Sequence, residues 1–177
     1  MSQVYGLSLR QHNQALARAK ATAFQFLTTR ARSVAEVRRR LALRYTSNVV
    51  EEVIANFQER GYLNDFAFAE EWRHQRERSS PKGERQIRQE LRRLGVEGEV
   101  VEEALTGFDA WQNAYRAAQS IAEKLKTNDY AQFRRRLWGY LHRRGFDTNV
   151  TGDTVRRLWR ELTDALDRGV DTQADQQ

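Results

Sequence analysis

The chain holds three histidines, His12, His74 and His142, and only one stands at a spacing that could do chemistry. Glu71-Trp72-Arg73-His74 is a Glu-x-x-His step, which on a helix brings a carboxylate and an imidazole to one face, as in di-iron bundles. Such a centre needs a second copy and two more facing glutamates, yet neither His12 nor His142 has a Glu three residues before it. His74 therefore reads as a surface residue, and no metal or other cofactor is expected. The pairs Glu51-Glu52 and Glu102-Glu103 lie opposite apolar positions, where solvated carboxylates are ordinary. No glycine-rich phosphate loop or nucleophile motif is present, so no catalytic residue is assigned and an enzyme is not expected.

The arginines carry more information. All but four of the 30 Lys+Arg residues are arginine, whose planar fork grips carboxylates and phosphates with two teeth and stacks on rings. A genome rich in G and C would explain the preference over lysine without any function. The excess of charge, +6 at pH 7, still points to an acidic partner, a nucleic acid or a negative protein surface. Clusters fall at a regular interval: Arg38, Arg39 and Arg40; Arg85, Arg88, Arg92 and Arg93; Arg134, Arg135, Arg136, Arg143 and Arg144. Helical pairs such as Glu36 with Arg40 or Glu84 with Arg88 would neutralise some of them. Arg134 to Arg136 have no acid three or four residues further on. A positive stripe is expected, built from Arg38, Arg39, Arg85, Arg88, Arg92, Arg134, Arg135, Arg136, Arg143 and Arg144.

The elements beneath these clusters are helices, because apolar residues recur at helical spacing and β-branched alternation never persists. A first helix is expected from about Asn13 to Thr29 on Leu16, Ala19, Ala23, Phe24 and Leu27. Ser33 and Glu36 form a capping box for a second, with Val34, Val37 and Leu41. Thr46 or Ser47 caps a third, with Val50, Val53, Ile54 and Phe57, and Gly61 stops it. The pattern restarts at Asp65, read as a cap, with Phe68, Ala69 and Trp72. Ser80-Pro81 reads as a cap with a first-turn proline, followed by Ile87, Leu91 and Leu94, with Gly95 as stop. A short helix on Val100, Val101, Ala104 and Leu105 closes the second triplet. A third begins at Asp109 with a stripe from Trp111 to Leu125, then Tyr130 to Leu141 with Gly145 as stop, then Val155, Leu158, Trp159 and Leu162. Trp72, Trp111, Trp138 and Trp159 are expected mostly in the core, with partial exposure of Trp138, which lies beside the stripe of its helix, and Tyr62 is expected between the first two triplets.

Two nearly identical phrases, "VVEEVI" at 49–54 and "VVEEAL" at 100–105, give the organisation. Val37, Ile87 and Leu137 stand fifty apart, as do Leu41, Leu91 and Leu141. A long–short–short order three times over reads as tandem three-helix repeats, with an insertion needed around "VTGD" in the third. The expected fold is all-α: three such repeats in an elongated, curved rod, each too small to hold a good core alone. The expected divisions are 1–64 (an N-terminal extension plus repeat one), 65–108, 109–167, and a disordered tail over 168–177. With no cysteine, no apolar run long enough for a membrane and no signal-peptide pattern at the start, a cytoplasmic monomer is expected.

The segments "TRARSVAEVRRRL" at 29–41, "GYLNDFAFAEEWRHQR" at 61–76 and "KGERQIRQELRRLGV" at 82–96 resemble the RecX family of RecA regulators. The resemblance rests on Arg32, Ser33, Glu36, Val37 and Leu41, on the turn Gly61-Tyr62-Leu63 with Asp65, Phe68 and Ala69, and on Arg76, Gly83, Ile87, Glu90, Leu91 and Gly95. Asn64 stands where the family's turn has its first aspartate, and Arg44-Tyr45 replaces a basic-Gly ending. Most of these positions are caps, turns and core. The resemblance implies a protein that binds RecA, lies in the groove of the RecA–DNA filament, and limits strand exchange, ATP hydrolysis and co-protease activity. A rod with a positive edge suits that role, since modest contacts along a repeating groove add through effective concentration. The alternative is direct, non-specific binding of single- or double-stranded DNA, which would show a steep salt dependence without RecA.

Overall fold

The computed structural model describes residues 2–125 and 129–174, with side chains over 9–125 and 129–165. Among the described residues there are nine helices and no strand: α1 (Ser2–Leu27), α2 (Val34–Ala42), α3 (Ser47–Glu59), α4 (Asp65–Ser79), α5 (Glu84–Arg93), α6 (Gly98–Ala104), α7 (Ala110–Lys124), α8 (Tyr130–Arg143) and α9 (Thr148–Ala174). The fold is an all-α helical repeat. By packing, the chain groups into two compact units, one of residues 1–72 and 91–104 and one of residues 73–90 and 105–177.

In the first unit α1, α2 and α3 pack on one another around Ala19, Ala23, Val37, Leu41, Val53, Ile54 and Phe57. Each buried Val, Leu, Ile or Phe side chain contributes about 1.5–3 kcal/mol by leaving water. The start of α2 is fixed by the expected capping box. The Glu36 N–H donates to Ser33 Oγ (3.1 Å), and the Ser33 N–H donates to Glu36 Oε2 (3.2 Å). Glu36 pairs with Arg30 and Arg32 rather than with Arg40. Burial pulls its pKa upward, but the bonds from Arg30 and the Ser33 N–H outweigh that, and the carboxyl sits below its ordinary value.

Asp65 was expected to cap α4, and that role belongs to Asn64, whose Oδ1 accepts from the Ala67 N–H at 3.0 Å. Asp65 is thereby released to accept the Val34 N–H at 2.8 Å, one of the donors that the first turn of α2 leaves unpaired. Burial raises its pKa. Phe24, read as a core residue, is 42% exposed, although its ring packs on Phe57 (4.6 Å) and Tyr62 (5.0 Å). Tyr62 is half exposed and rests on those two rings.

In the second unit α7, α8 and α9 pack on one another. The face of α7 is small, Ala114, Ala117, Ala118 and Ala122, and lets the larger Phe133, Leu137, Leu141, Phe146 and Leu158 fill the centre. Asp109 and Asp129 cap α7 and α8 through the Gln112 and Ala131 N–H groups. None of the four tryptophans is fully buried; Trp159 packs against the core, Trp138 is partly exposed as its place beside the stripe suggests, and Trp111 departs from the core reading. Trp72, Trp138 and Trp159 are half-buried and Trp111 is 57% exposed.

The insertion expected around "VTGD" is absent. Gly95 and Gly145, fifty residues apart, have φ of +86° and +85°. The Val96 N–H donates to Leu91 O, as the Phe146 N–H donates to Leu141 O. The Val101 N–H donates to Glu97 O, as the Thr151 N–H donates to Asp147 O. "VTGD" is therefore simply the opening of α9, in register with the opening of α6. Buried Thr151 (1%) and Thr154 (3%) stand where α6 has Val101 and Ala104. Neither is apolar, so hydrophobic periodicity hid the match.

Contacts from one triplet to the next recur at the same offset. Ser33 Oγ donates to Leu94 O at 2.6 Å, and fifty residues on the Gly83 N–H donates to Arg144 O at 2.9 Å. The connector between α4 and α5, residues 80–83, is not helical, so Ser80-Pro81 is neither a cap nor a first turn. It is drawn against the end of α8, where a Cβ on Gly83 would lie 2.2 Å from Gly145 O.

Two ends also differ from expectation. α1 starts at Ser2 rather than near Asn13, and α9, at 27 residues, is helical as far as Ala174 across most of the tail expected to be disordered. Once a helix is nucleated, each added residue gains a hydrogen bond at little cost, so ends without an apolar stripe can still extend. The third triplet accordingly lacks the long–short–short order. Positions 175–177 of that tail lie outside the described residues.

Candidate interaction surface

The arginines on the second helices differ in how far they are already engaged. On α2, Arg38 grips Glu51 with two bonds (2.8 and 3.0 Å), which lowers the Glu51 pKa and raises that of Arg38. Arg40 lies 6.0 Å from the Phe26 ring. On α5, Arg88 pairs with Glu84 as anticipated (2.6 Å), and Arg92 pairs with Glu102 (3.5 Å) between two exposed side chains. Arg85 donates to the carbonyl of His142 at 3.2 Å, where a cation complements the C-terminal end of α8. Arg144 is half-buried, donates to Pro81 O (3.0 Å) and Ser80 Oγ (3.4 Å), and stacks 4.7 Å from the Tyr140 ring. Its guanidinium is thus engaged in holding the α4–α5 connector.

The remaining residues of the anticipated stripe are open. Arg39, Arg135, Arg136 and Arg143 are exposed and make no ion pair or hydrogen bond among the described residues. Among the described residues Arg134 makes a ring contact, 5.3 Å from Trp138, and no ion pair. Surface pairs like Arg92–Glu102 are worth under about 1 kcal/mol and exchange readily for an external anion. The open arginines require no such exchange.

A second basic group went unread in the sequence. Arg156, Arg157 and Arg160 lie on the exposed side of α9, opposite buried Val155 and Leu158. The spelling "VRRLWREL" carries that signal, a basic face behind an apolar one. Arg156 pairs with Asp153, and Arg157 donates to Glu161 at 2.8 Å. A groove of about 500 Å³ between α8 and α9 brings Arg134 and Arg156 together with Tyr130 and Trp138.

His74 lies 3.0 Å from Glu77 and 3.2 Å from Arg73. Among the described residues no group of three or more His, Cys, Asp or Glu could hold a metal ion. No described helix is long and apolar enough to cross a membrane.

Comparison with known proteins places this arrangement. A family model described as RecX, first three-helix domain, matches residues 19–56, and one described as RecX, second three-helix domain, matches residues 64–105. The regulatory protein RecX of Mycolicibacterium vanbaalenii is 35% identical over 147 residues, covering 77% of this chain and 80% of that relative. The chain belongs to the RecX family. The RecX of Mycolicibacterium smegmatis is 36% identical over 146 residues, covering 77% of each chain. Among solved structures, RecX from Lactobacillus salivarius superposes with a TM-score of 0.75 at 19% identity, over 82% of this chain and 97% of that one. At that identity the likeness speaks for the RecX fold alone. The two domain models end at residue 105, ahead of the helices that carry the open arginines of α8.

Proposed function

We propose that this protein binds the RecA filament and restrains recombinase, ATPase and co-protease activity by occupying the filament groove. Membership of a family of regulatory proteins supports a binding role, and the observation that carries the reading is the set of open arginines. Arg135 and Arg136, beside Arg134, stand on the second helix of the third triplet with no acid among the described residues to pair with them. An unneutralised cluster on a helix held by Phe133, Leu137 and Leu141 is a preorganised contact for an acidic groove. The triplets 1–64, 65–108 and 109–167 are read as successive modules, supported by backbone geometry that recurs at an offset of fifty. A monomer working in the cytoplasm completes the proposal.

The test is RecA ATP hydrolysis on single-stranded DNA with this protein added below stoichiometry. Hydrolysis should fall, and the combined variant Arg134→Glu, Arg135→Glu, Arg136→Glu should bind the filament at least tenfold more weakly with its helicity intact. Hydrolysis that stays constant across the titration refutes the proposal. Unaltered binding by the triple variant moves the contact away from α8.

A further inference from the structure

We infer that the Phe24–Phe57–Tyr62 ring cluster of the first triplet is a docking surface for a protein partner, one that presents an apolar side chain ringed by carboxylates. Phe24 comes from α1, Phe57 from α3, and Tyr62 from the turn that follows α3. Their ring centroids lie 4.6, 5.0 and 5.5 Å apart. Phe57 is 1% exposed and forms the floor, while Phe24 and Tyr62 keep 42% and 50% of their surface in water. Among the described residues no other two exposed large hydrophobics have rings in contact. The backbone holds the cluster in place. Gly61, at φ +72°, reverses the chain after α3, and the Tyr62 and Leu63 N–H groups both donate to Phe57 O, at 2.8 and 3.2 Å. Rings fixed beforehand lose little freedom on docking.

Charge selects the partner's chemistry. α1 carries no Asp or Glu, only Arg10, Arg18 and Lys20 together with His12. Lys20 stands one turn before Phe24, and Arg60 three residues after Phe57, so each cation lies on the same face as a ring. Neither side chain makes an ion pair or hydrogen bond among the described residues. The acids of α3 are directed elsewhere. Glu51 pairs with Arg38, Glu52 with His12, and Glu59, two residues after Phe57, points away from it. An apolar patch beside unneutralised cations fits a protein surface with an apolar centre and an acidic rim.

A nucleic acid fits less well. The Tyr62 ring stands nearly edge-on to both phenylalanines, at 72° and 67°, so the three tile one small patch and offer no ladder for successive bases. This surface serves the filament reading above and rests on it: the arginines of α8 supply charge, and the rings supply an apolar anchor on another triplet.

The test is binding of the full chain to a RecA filament held on single-stranded DNA, over a range of salt. Tyr62→Ser should weaken binding at least about tenfold, as loss of an aromatic anchor does, and leave the logarithmic salt slope unchanged. Tyr62→Phe keeps the ring and should bind within about twofold of the unaltered protein. Lys20→Glu removes no ring and should weaken binding mainly by slowing association. Denaturant midpoints separate loss of contact from loss of fold. Full binding by Tyr62→Ser overturns the inference; should that variant unfold, full binding by Lys20→Glu does so. Tyr62→Phe as weak as Tyr62→Ser would overturn an apolar contact in favour of the hydroxyl. Absence of binding by the unaltered protein overturns the filament reading, and this surface with it. Each variant is also offered an oligothymidylate without RecA, where binding equal to that of the unaltered protein is expected. A parallel loss there would assign the rings to nucleic acid and overturn the protein partner.

Discussion

Glu36 illustrates how a single carboxylate can organise a helix start. Its side chain is 10% exposed, takes two bonds from Arg30 (2.5 and 3.3 Å), one from Arg32 (3.4 Å) and one from the Ser33 N–H. Charge-assisted bonds of this kind are each worth about 1.5–3 kcal/mol when partly shielded from water. Burial opposes the ionised form, and those bonds overcome it, so the folded protein holds Glu36 below its ordinary pKa. An acid depressed in this way contributes stability that is fully present above its unfolded pKa of about 4.3. That contribution fades as pH falls through the folded value. Glu36→Gln should therefore cost about 1–3 kcal/mol in urea unfolding at pH 7. The gap from the unaltered protein should narrow as the pH is taken below about 4. A gap that persists undiminished in acid would mean the residue acts through packing rather than charge.

The elements meet at glycines, and the kinds of constraint differ. Gly61 has φ +72° with nothing within 4 Å of its Cβ direction, so only the left-handed backbone matters there. Gly83 has the reverse problem, space without a special φ, because the carbonyl of Gly145 lies 2.2 Å from where a Cβ would stand. That neighbour is backbone and cannot rotate away. Gly83→Ala should lower stability by about 1–3 kcal/mol or more, as overpacking does. Gly61→Ala should cost only about 1–2 kcal/mol. A denaturant midpoint for Gly83→Ala unchanged from that of the unaltered protein would show that the α4–α5 connector moves aside freely. Gly61, Gly95 and Gly145 were legible as helix stops because a positive φ after a helix is a local feature, although Gly95 and Gly145 also abut Ala35 and Gln86. Gly83 was matched as a motif letter without a reason, since its constraint arises from a chain segment some sixty residues away. The same limit explains Asp65, whose partner Val34 belongs to another helix, and Thr151, a buried polar residue at a position that a reader of hydrophobic spacing assigns to solvent. Helix count and repeat period were readable, being set by spacing alone. Which arginines are engaged was not, because His142 O and Pro81 O are acceptors that no sequence pattern displays.

For the molecule as a whole, the decisive feature is that packing does not follow the order of the chain. Each compact unit takes its residues from two separate stretches, and the change from one unit to the other falls inside α4 and inside α5. A cut placed between successive triplets therefore divides a unit. Ending the chain at Gly107 would leave residues 73–90 in place while removing nearly all of the second unit's remainder. The Gly83 N–H would lose Arg144 O, and Pro81 O would lose the Arg144 guanidinium. Residues 91–104 would stay with the first unit, where Ser33 Oγ still reaches Leu94 O. Amide exchange should report this division directly, since protection follows local opening. In a fragment of residues 1–107, amides of α2 and α3 should keep their protection, while those from Gly83 to Glu90 should lose at least tenfold. Ending the chain at Asn64 should reach further. It removes the Asp65 acceptor of the Val34 N–H along with residues 91–104, so protection at the start of α2 should fall as well. Uniform protection in the longer fragment would mean that α5 is held by α2 and α3 alone and that the Gly83–Arg144 contact contributes nothing. Loss spread evenly over α2, α3 and α5 would mean that the two units unfold as one.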